Sequence, residues 1–541
     1  MCGIFCLLGD YKLTQKNIID KFDLGHPRGP EQSSLTKIAE NIIFGFHRLA
    51  INGYNSPASE QPIRKKGCIL ICNGEIYNWK NIATMMGVEC STGSDCEIII
   101  HLYKKYGVLQ TLQMLDGVFS FVLYDTNNGN IFVARDPHGV RPLFVWKKDN
   151  NNLLFASEVK MGLSLVNANP EQFPPGSYIY TNTAYGEYTT TKYYTNNKFS
   201  NNSIKYIEDT TKLIQNSLKD AIRKRVDNTD REIACLLSGG LDSSLVCGLV
   251  VQEFKERYGE KGAKRLHTWS IGMEGSEDLS MARLVADYLG TTHHEIKLHE
   301  QEFIDAIPEV IRIIESNDTT TVRASVGNYL ICKYIRENSD AKVVFNGDGS
   351  DEVAGGYLYF HYAPDSIEFD KECRRVLKDI HLFDVLRSDR TISCHGLEAR
   401  TPFLDRGFVE TYLSIPSYLR DHNSTKTCEK YLIRNAFEEM NILPKEVLWR
   451  RKEAFSDGVS KKTKSWFEII QDFAGKKYKM DGKKAEQQYY DDIFHSYYGD
   501  KEYTKNIVPY KWMPRFVNAS DSSARTLKIY APDPLTVEYK V

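Results

Sequence analysis

The sequence predicts two domains of different class: a β-rich layered domain first, then a doubly wound α/β domain with a helical extension. Three observations carry this. The chain has 541 residues, too many for one hydrophobic core. Residues 1–195 are cut into short apolar runs by Gly, Asn, Asp and Pro, the pattern of strands joined by turns. From 231 to 300, strand-like and helix-like segments alternate, as they do in a parallel sheet covered by helices.

In the first domain, set at 2–195, the strands are NIIFGFHRLAI, CILICNGEIY, FSFVLYD, NIFVARD, NLLFAS and SYIY. Two helices interrupt them, one at QKNIIDKF and one at CEIIIHLYKKYG, where Ile98, Leu102 and Tyr106 repeat at helical spacing. The Thr-, Asn- and Tyr-rich run 181–203 is the expected linker. The second domain, set at 205–515, opens with a helix that keeps Ile207, Ile214, Leu218 and Ile222 on one face. EIACLL, LHTWSIGM and HHEIKL follow as strands, with SSLVCGLVVQEF and LSMARLVADYL as the helices between them. KVVF is one more strand, and helices dominate after it. Residues 516–541 are polar and Pro-containing and read as a partly ordered C-terminal tail.

Composition narrows the function. Lys plus Arg is 69 and Asp plus Glu 71, a net charge of −2, so no global field favours nucleic acid or an anionic membrane. No stretch approaches the ~18 apolar residues of a spanning helix. MCGIFCLLGDYKL has neither the basic flank nor the cleavage site of a secretory signal. The twelve cysteines form no CxxC pair, so a reduced, cytoplasmic enzyme is expected rather than a disulfide scaffold or thiolate metal site. The partners expected are small molecules, with neither nucleic acid nor membrane. Oligomeric state is not encoded, and a homodimer stays open.

Three constellations carry chemistry. At the start of the chain, Cys2 precedes Gly3. A small second residue permits removal of Met1, which would place a free α-amine, titrating near pH 8, beside a thiol as its own base. A lone Cys here would read as a small buried hydrophobe. His47-Arg48-Leu49, Asn73-Gly74-Glu75 and Gly93-Ser94-Asp95 reverse that reading. An Arg fork matches an α-carboxylate, an Asp matches an α-ammonium, and an Asn amide with a Gly N–H makes an oxyanion hole. Together they describe a glutamine pocket beside a thiol.

The second constellation is Ser238-Gly239-Gly240-Leu241-Asp242-Ser243-Ser244, between a strand and a helix. The glycines expose N–H groups and the helix presents its positive end to an anion. Asp242 can hold Mg²⁺ on phosphates. No GxxxxGK[ST] is present, so the loop is not a P-loop. The third is Asn346-Gly347-Asp348-Gly349-Ser350-Asp351-Glu352, at the carboxyl end of KVVF, where parallel sheets bind ligands. His293-His294-Glu295 is no metal cluster, because adjacent strand residues point to opposite faces; it reads as the edge of a strand.

MCGIF, RGP at 28–30, HRLAI, NGEIYN, TGSDCE, RDPHGVRPLF and FPPGSY resemble the glutaminase domain of class II amidotransferases over 2–195. That resemblance implies an α+β four-layer sandwich of the N-terminal-nucleophile type. It also implies a glutamine site at Arg48, Leu49, Ala50, Ile51, Asn52, Asn73, Gly74, Glu75 and Asp95. SGGLDSS resembles the loop of ATP pyrophosphatases, which implies adenylation rather than γ-phosphoryl transfer, and nucleotide contacts at Leu236, Ser238, Gly239, Gly240, Asp242, Ser243, Ile271, Asn346 and Gly347. The GGY-YFH-AP string after Glu352, LRSDRTISCHGLEARTPFLD and WRRKEAFSDGV extend the likeness. The whole chain thus resembles the glutamine-hydrolysing asparagine synthetase family.

The resemblance implies ATP as substrate and Mg²⁺ on Asp242 and Asp351. Arg387 and Arg400 become anion partners of aspartate and the nucleotide, Lys452 neutralises pyrophosphate, and Asp348 handles a proton at amide formation. Ammonia then passes between the sites in an enclosed passage. From residue type alone, Arg400 and Lys452 read also as structural ion-pair residues. Four departures from the family pattern stand out: the inserted Pro27, Asn346 for Ser, Asp348 for Glu and His395 for Trp. A relative that adenylates another carboxylic acid, and a regulator that binds without turnover, are the alternatives. Retention of Cys2 and of EAR-PFLD favours aspartate.

Overall fold

The computed structural model describes residues 1–9, 13–148, 152–183, 187–196, 199–461 and 463–530. The first domain contains strands β1 (Gly3–Leu8), β2 (Gln32–Ala39), β3 (Ile42–Arg48), β4 (Ile63–Lys65), β5 (Cys68–Ile76), β6 (Gly117–Asp125), β7 (Asn130–Arg135), β8 (Phe144–Lys147), β9 (Leu153–Ala156), β10 (Pro170–Gln172), β11 (Ser177–Asn182) and β12 (Tyr188–Lys192). They form two six-stranded sheets, β10-β8-β9-β1-β3-β2 and β12-β11-β7-β6-β5-β4. Alternation along the strands explains the layering. Ile4, Cys6 and Leu8 of β1 join Ile69, Ile71, Val122 and Val133 of the other sheet in the core between them. Phe5 and Leu7 point the other way, onto Ile18 and Phe22 of helix α1 (Gln15–Phe22). Helices α2 (Trp79–Met86) and α3 (Glu97–Met114) cover the far face of the second sheet. The result is the expected four layers: helix, sheet, sheet, helix.

The run expected as a linker differs from expectation. Tyr188–Lys192 pairs with β11 as an edge strand, so the crossing segment starts after 192. The sequence is poor in aliphatics there because β12 is largely exposed; Tyr and Thr hold the strand by β preference instead. Helix α2 is additional to the two helices the sequence predicts for this domain.

The second domain starts at α4 (Glu208–Asp227) and holds β13 (Ile233–Leu236), α5 (Leu241–Tyr258), β14 (His267–Met273), α6 (Glu277–Leu289), β15 (Thr292–Leu298), α7 (Glu300–Ile314), α8 (Thr319–Asn338), β16 (Val343–Phe345), α9 (Ser350–Ala354), α10 (Ser366–Asp379), α11 (Asp384–Ser393) and β17 (Glu398–Arg400). The sheet order is β15-β14-β13-β16-β17, all pairs parallel. Chain direction across the sheet reverses between β13 and β16, and that switch point is where such sheets bind ligands. On edge strand β15, His293 bonds Thr268 Oγ1 at 2.9 Å while His294 stacks on Trp269 at 3.9 Å, on opposite faces as expected.

The tail is ordered further than expected. Asp521 accepts from Arg323 at 2.6 and 3.0 Å, and Leu527 is buried beside Tyr359 and Phe360. Residues 531–541 lie outside the described residues. The two domains share cores: Leu49, Ile51, Tyr77 and Val118 of the first pack in one cluster with Ile222 and Leu245 of the second.

Candidate active sites

The register of β1 on β3, Gly3 opposite His47, sets Cys2 beside Arg48. The Cys2 thiol donates to the Leu49 carbonyl at 3.5 Å. Arg28 Nε holds the Cys2 carbonyl at 2.8 Å. With Met1 in place, the α-amine donates to Leu397 O at 2.9 Å, and Arg141 Nη1 approaches Met1 Sδ at 2.7 Å. Burial pushes that amine down to about 5 and the Cys2 thiol up to about 11.

Around the thiol, Asn73 is 1% exposed, and neither its Nδ2 nor its Oδ1 has a partner among the described residues. A buried amide left open is costly unless a ligand completes it. At Gly74 a Cβ would overlap the Val118 carbonyl, so only glycine lets β5 lie this close to β6. Glu75 accepts from Asn52 Nδ2 at 2.7 Å, and Asp95 accepts from Ile76 N at 2.6 Å. Burial raises the pKa of both carboxyls, and Glu398 and Asp95 add to the rise at Glu75. Arg48 Nη2 donates to Gly53 O at 3.1 Å and to Ser59 Oγ. Ala50 N donates to Glu31 at 2.7 Å, and the Ile51 carbonyl accepts from Asp230 N at 3.0 Å. The structure thus gathers the expected glutamine residues along the ends of β3 and β5, the 49–53 loop and the lead into α3.

The second site is a cleft at the switch point, lined by Leu236, Ser238, Gly240, Asp242, Ser243, Ile271, Asn346, Gly347, Asp348, Asp351, Arg387 and Lys452. Gly239 (φ +75°) passes so close to α6 that a Cβ would sit 2.5 Å from Ala282 N. Gly347 is likewise pressed on Asp242, where its Cβ would lie 2.8 Å from Asp242 Cβ. Ser238 and Ser243 hydroxyls bond at 2.9 Å and close the loop over the start of α5, whose N-terminus suits a phosphate.

Asp242 and Asp351 face each other across Lys430, whose Nζ lies 2.6 Å from both. Lys452 Nζ is 2.6 Å from Asp351 and 3.7 Å from Asp242. Burial opposes ionisation of Asp351, but Lys430 and Lys452 outweigh it and hold the carboxyl well below its usual range. Lys452 is raised in return, against burial. Two carboxylates closing on one buried cation fit a hard divalent ion, which takes oxygen ligands.

Asp348 accepts from Arg387 Nη2 at 2.7 Å and from Asn346 Nδ2 at 2.6 Å. Burial raises Asp348 to about 6, against the pull of Arg387. Arg387 also donates to Asp384 through Nε at 3.0 Å.

Arg400 is placed elsewhere. It does not line the cleft. Its guanidinium is fully buried between the domains, on Glu398 at 2.6 Å, Glu75 at 3.4 Å, and the carbonyls of Arg225 and Asn228 at 2.9 and 3.0 Å. Its expected role as an anion partner of aspartate is replaced by structural ion pairing, because the end of β17 turns this side chain toward the glutamine pocket. Residues not anticipated are Lys430, Asp384, Arg450 and Asn228. Arg450 lies in the quoted WRRKEAFSDGV string, but Lys430, Asp384 and Asn228 lie in none, and Lys430 reaches its place through a left-handed backbone (φ 58°).

Residues 1–215 match the model of the glutamine amidotransferase domain, and residues 213–372 and 363–513 match that of asparagine synthase. Among curated proteins, the chain is 41% identical to the glutamine-hydrolysing asparagine synthetases of Gallus gallus and Mus musculus. It is 40% identical to that of Homo sapiens; each alignment covers 98% of this chain and 99% of the relative. Fold and matches together define a glutamine amidotransferase joined to a synthetase. The chain belongs to the asparagine synthase family.

Proposed function

We propose that this protein makes asparagine from aspartate and glutamine at the expense of ATP, releasing AMP, pyrophosphate and glutamate. The observation that carries the reading is the adjacency of the two sites through β17. The Arg400 side chain meets Glu75 at 3.4 Å, while the Arg400 carbonyl accepts from Asn346 N at 3.1 Å in the nucleotide cleft.

In the first half-reaction, removal of Met1 turns the amine onto Cys2. The thiol loses its proton to that amine and attacks the glutamine carboxamide. Asn73 Nδ2 and the Gly74 N–H receive the oxyanion, the protonated α-amine gives its proton to the nitrogen as the C–N bond breaks and ammonia leaves, and water hydrolyses the thioester on Cys2 to free glutamate and the thiol. Asp95 and Glu75 receive the α-ammonium and Arg48 the α-carboxylate. In the second, the aspartate β-carboxylate attacks the α-phosphorus of ATP held by Ser238–Ser243, and Lys452 balances the departing pyrophosphate. Ammonia then attacks the β-aspartyl adenylate, and Asp348 takes up a proton. Asp242 and Asp351 would hold Mg²⁺, which supplies charge neutralisation on the phosphates.

Among the described residues no helix is long and apolar enough to cross a membrane. The twelve cysteines are free thiols, which supports a cytoplasmic setting. The test is a product assay with aspartate, ATP and glutamine. Asparagine with stoichiometric pyrophosphate is expected; adenylation of another acid, or silence, would overturn the reading. Cys2→Ala is expected to abolish glutamine use and keep synthesis from ammonium salts. Loss of both would refute the division of labour.

A further inference from the structure

The peptide between α4 and β13 belongs to the second domain yet reaches the glutamine pocket of the first. Asp230 carboxylate accepts from Gly53 N at 2.8 Å, and Arg231 donates to the Ala50 carbonyl at 2.8 Å. Asn228 goes deepest and is 4% exposed. Its Nδ2 donates to Glu75 Oε2 at 2.7 Å and to Asp95 Oδ2 at 3.3 Å. Its Oδ1 accepts from Trp79 Nε1 at 2.9 Å, and its carbonyl accepts from Arg400 at 3.0 Å.

The geometry allows one assignment of that amide. An indole N–H only donates, so Trp79 must face the oxygen. The NH₂ end is then turned to the carboxylates, and its two protons go to two different acids. Two buried carboxylates bonded to one amide repel, and that amide fixes their spacing. Among the described residues of the first domain no side-chain amide bonds both acids: Asn52 Nδ2 donates to Glu75 at 2.7 Å and to the Asn228 carbonyl at 3.5 Å, and Ile76 N donates to Asp95.

We propose that Asn228 is a positioning residue of the glutamine site: a synthetase-domain amide that holds Glu75 and Asp95 at the spacing that receives the α-ammonium of glutamine. The glutamine pocket is therefore complete only when the two domains are docked. This rests on the reading of the pocket as a glutamine site.

The test compares the full-length protein with Asn228→Ala, Asn228→Asp and Trp79→Phe, measuring glutamine hydrolysis and ammonium-dependent asparagine formation on each. Loss of a hydrogen bond to a charged group is expected to raise KM for glutamine roughly tenfold or more in Asn228→Ala, with kcat for hydrolysis nearly kept. Asn228→Asp sets a third carboxylate against the other two and raises KM further. Trp79→Phe frees the amide to flip and raises KM by a smaller factor. Synthesis from ammonium salts, which does not use this pocket, stays near wild type. An unchanged KM in Asn228→Ala overturns the assignment, as does an equal fall of both activities, which would mark a folding role. A wild-type protein that hydrolyses no glutamine sinks the glutamine reading itself; a working wild type with an indifferent variant sinks only Asn228.

Discussion

Arg28 and Asp389 close the seam between the two domains with a two-bond fork, Nη1 to Oδ2 at 2.7 Å and Nη2 to Oδ1 at 3.0 Å. Glu158 takes a further bond from Nη1 at 3.0 Å, and Nε holds the Cys2 carbonyl. All three charged groups are buried. Arg28→Ala would leave Asp389 with Arg390 at 3.7 Å, while Glu158 keeps Lys160 at 2.5 Å and Arg390 at 3.3 Å; a broken buried pair costs about 3–5 kcal/mol. The expected result is a lower melting temperature. Glutamine-dependent synthesis should also fall more than ammonium-dependent synthesis, because Cys2 loses its anchor. Thermal melts and both assays on the variant check this; an unchanged melt would show that the seam is held elsewhere.

Much of this was readable in the sequence, and the parts that were not share a cause. Glycines at 239 and 347 announce the cleft because tight turns and close backbone approach require them. Strand periodicity found β13 to β16, since buried parallel strands read as continuous apolar runs. Arg400 lies away from its expected place because a motif fixes a residue's neighbours in sequence but not the direction its side chain takes at a strand end. Lys430 and Asn228 act across 188 and 153 positions of chain, so their partners are defined only once the domains pack. The strand β12 was missed because an exposed edge lacks the apolar alternation that marks a half-buried one.

Asp348 predicts a pH signature. Its carboxyl, raised by burial to about 6, lies above the unfolded value of about 4. The folded state therefore holds the proton more tightly, and this group's contribution to stability is lost as pH rises between those values. Compared with Asp348→Asn, the wild type should lose stability across that window. Activity runs the opposite way, since only the ionised carboxyl accepts a proton. Asparagine formed per pyrophosphate released should fall below about pH 6 and stay level above it. Asp348→Glu should preserve or raise this ratio; a collapse would mean the local backbone is built around the shorter acid.

The ordered tail is tied to the cleft. Arg525 donates to Glu453 at 2.9 and 2.7 Å and to the Asp457 carbonyl at 3.1 Å, and Tyr530 donates to Glu453 at 2.7 Å. Glu453 adjoins Lys452 on the cleft wall. Arg525→Ala should therefore loosen that wall and raise KM for ATP, roughly three- to tenfold for one or two charge-assisted bonds. Glutamine hydrolysis, housed in the other domain, should not change. A steady-state comparison of both activities decides it, and an unmoved KM for ATP would separate the tail from the cleft.

Gly356 gives the sharpest steric prediction. A Cβ there would overlap Lys430 Cε and crowd Asp351 Oδ1. A lysine tip usually swings aside at little cost, but this one is 1% exposed and pinned between Asp242 and Asp351 at 2.6 Å to each. Moving it leaves two half-buried carboxylates facing one another, with Lys452 left to balance them. Gly356→Ala should thus lower pyrophosphate release by tenfold or more and leave glutamine hydrolysis within about twofold, since no pocket residue of the first domain is touched. Raised Mg²⁺ should recover part of the loss, because Asp242 and Asp351 would hold that ion and it would supply the positive charge the displaced ammonium no longer does. Pyrophosphate release measured against Mg²⁺ concentration in the variant tests both statements. Full activity at ordinary Mg²⁺ would show that Lys430 is free to leave.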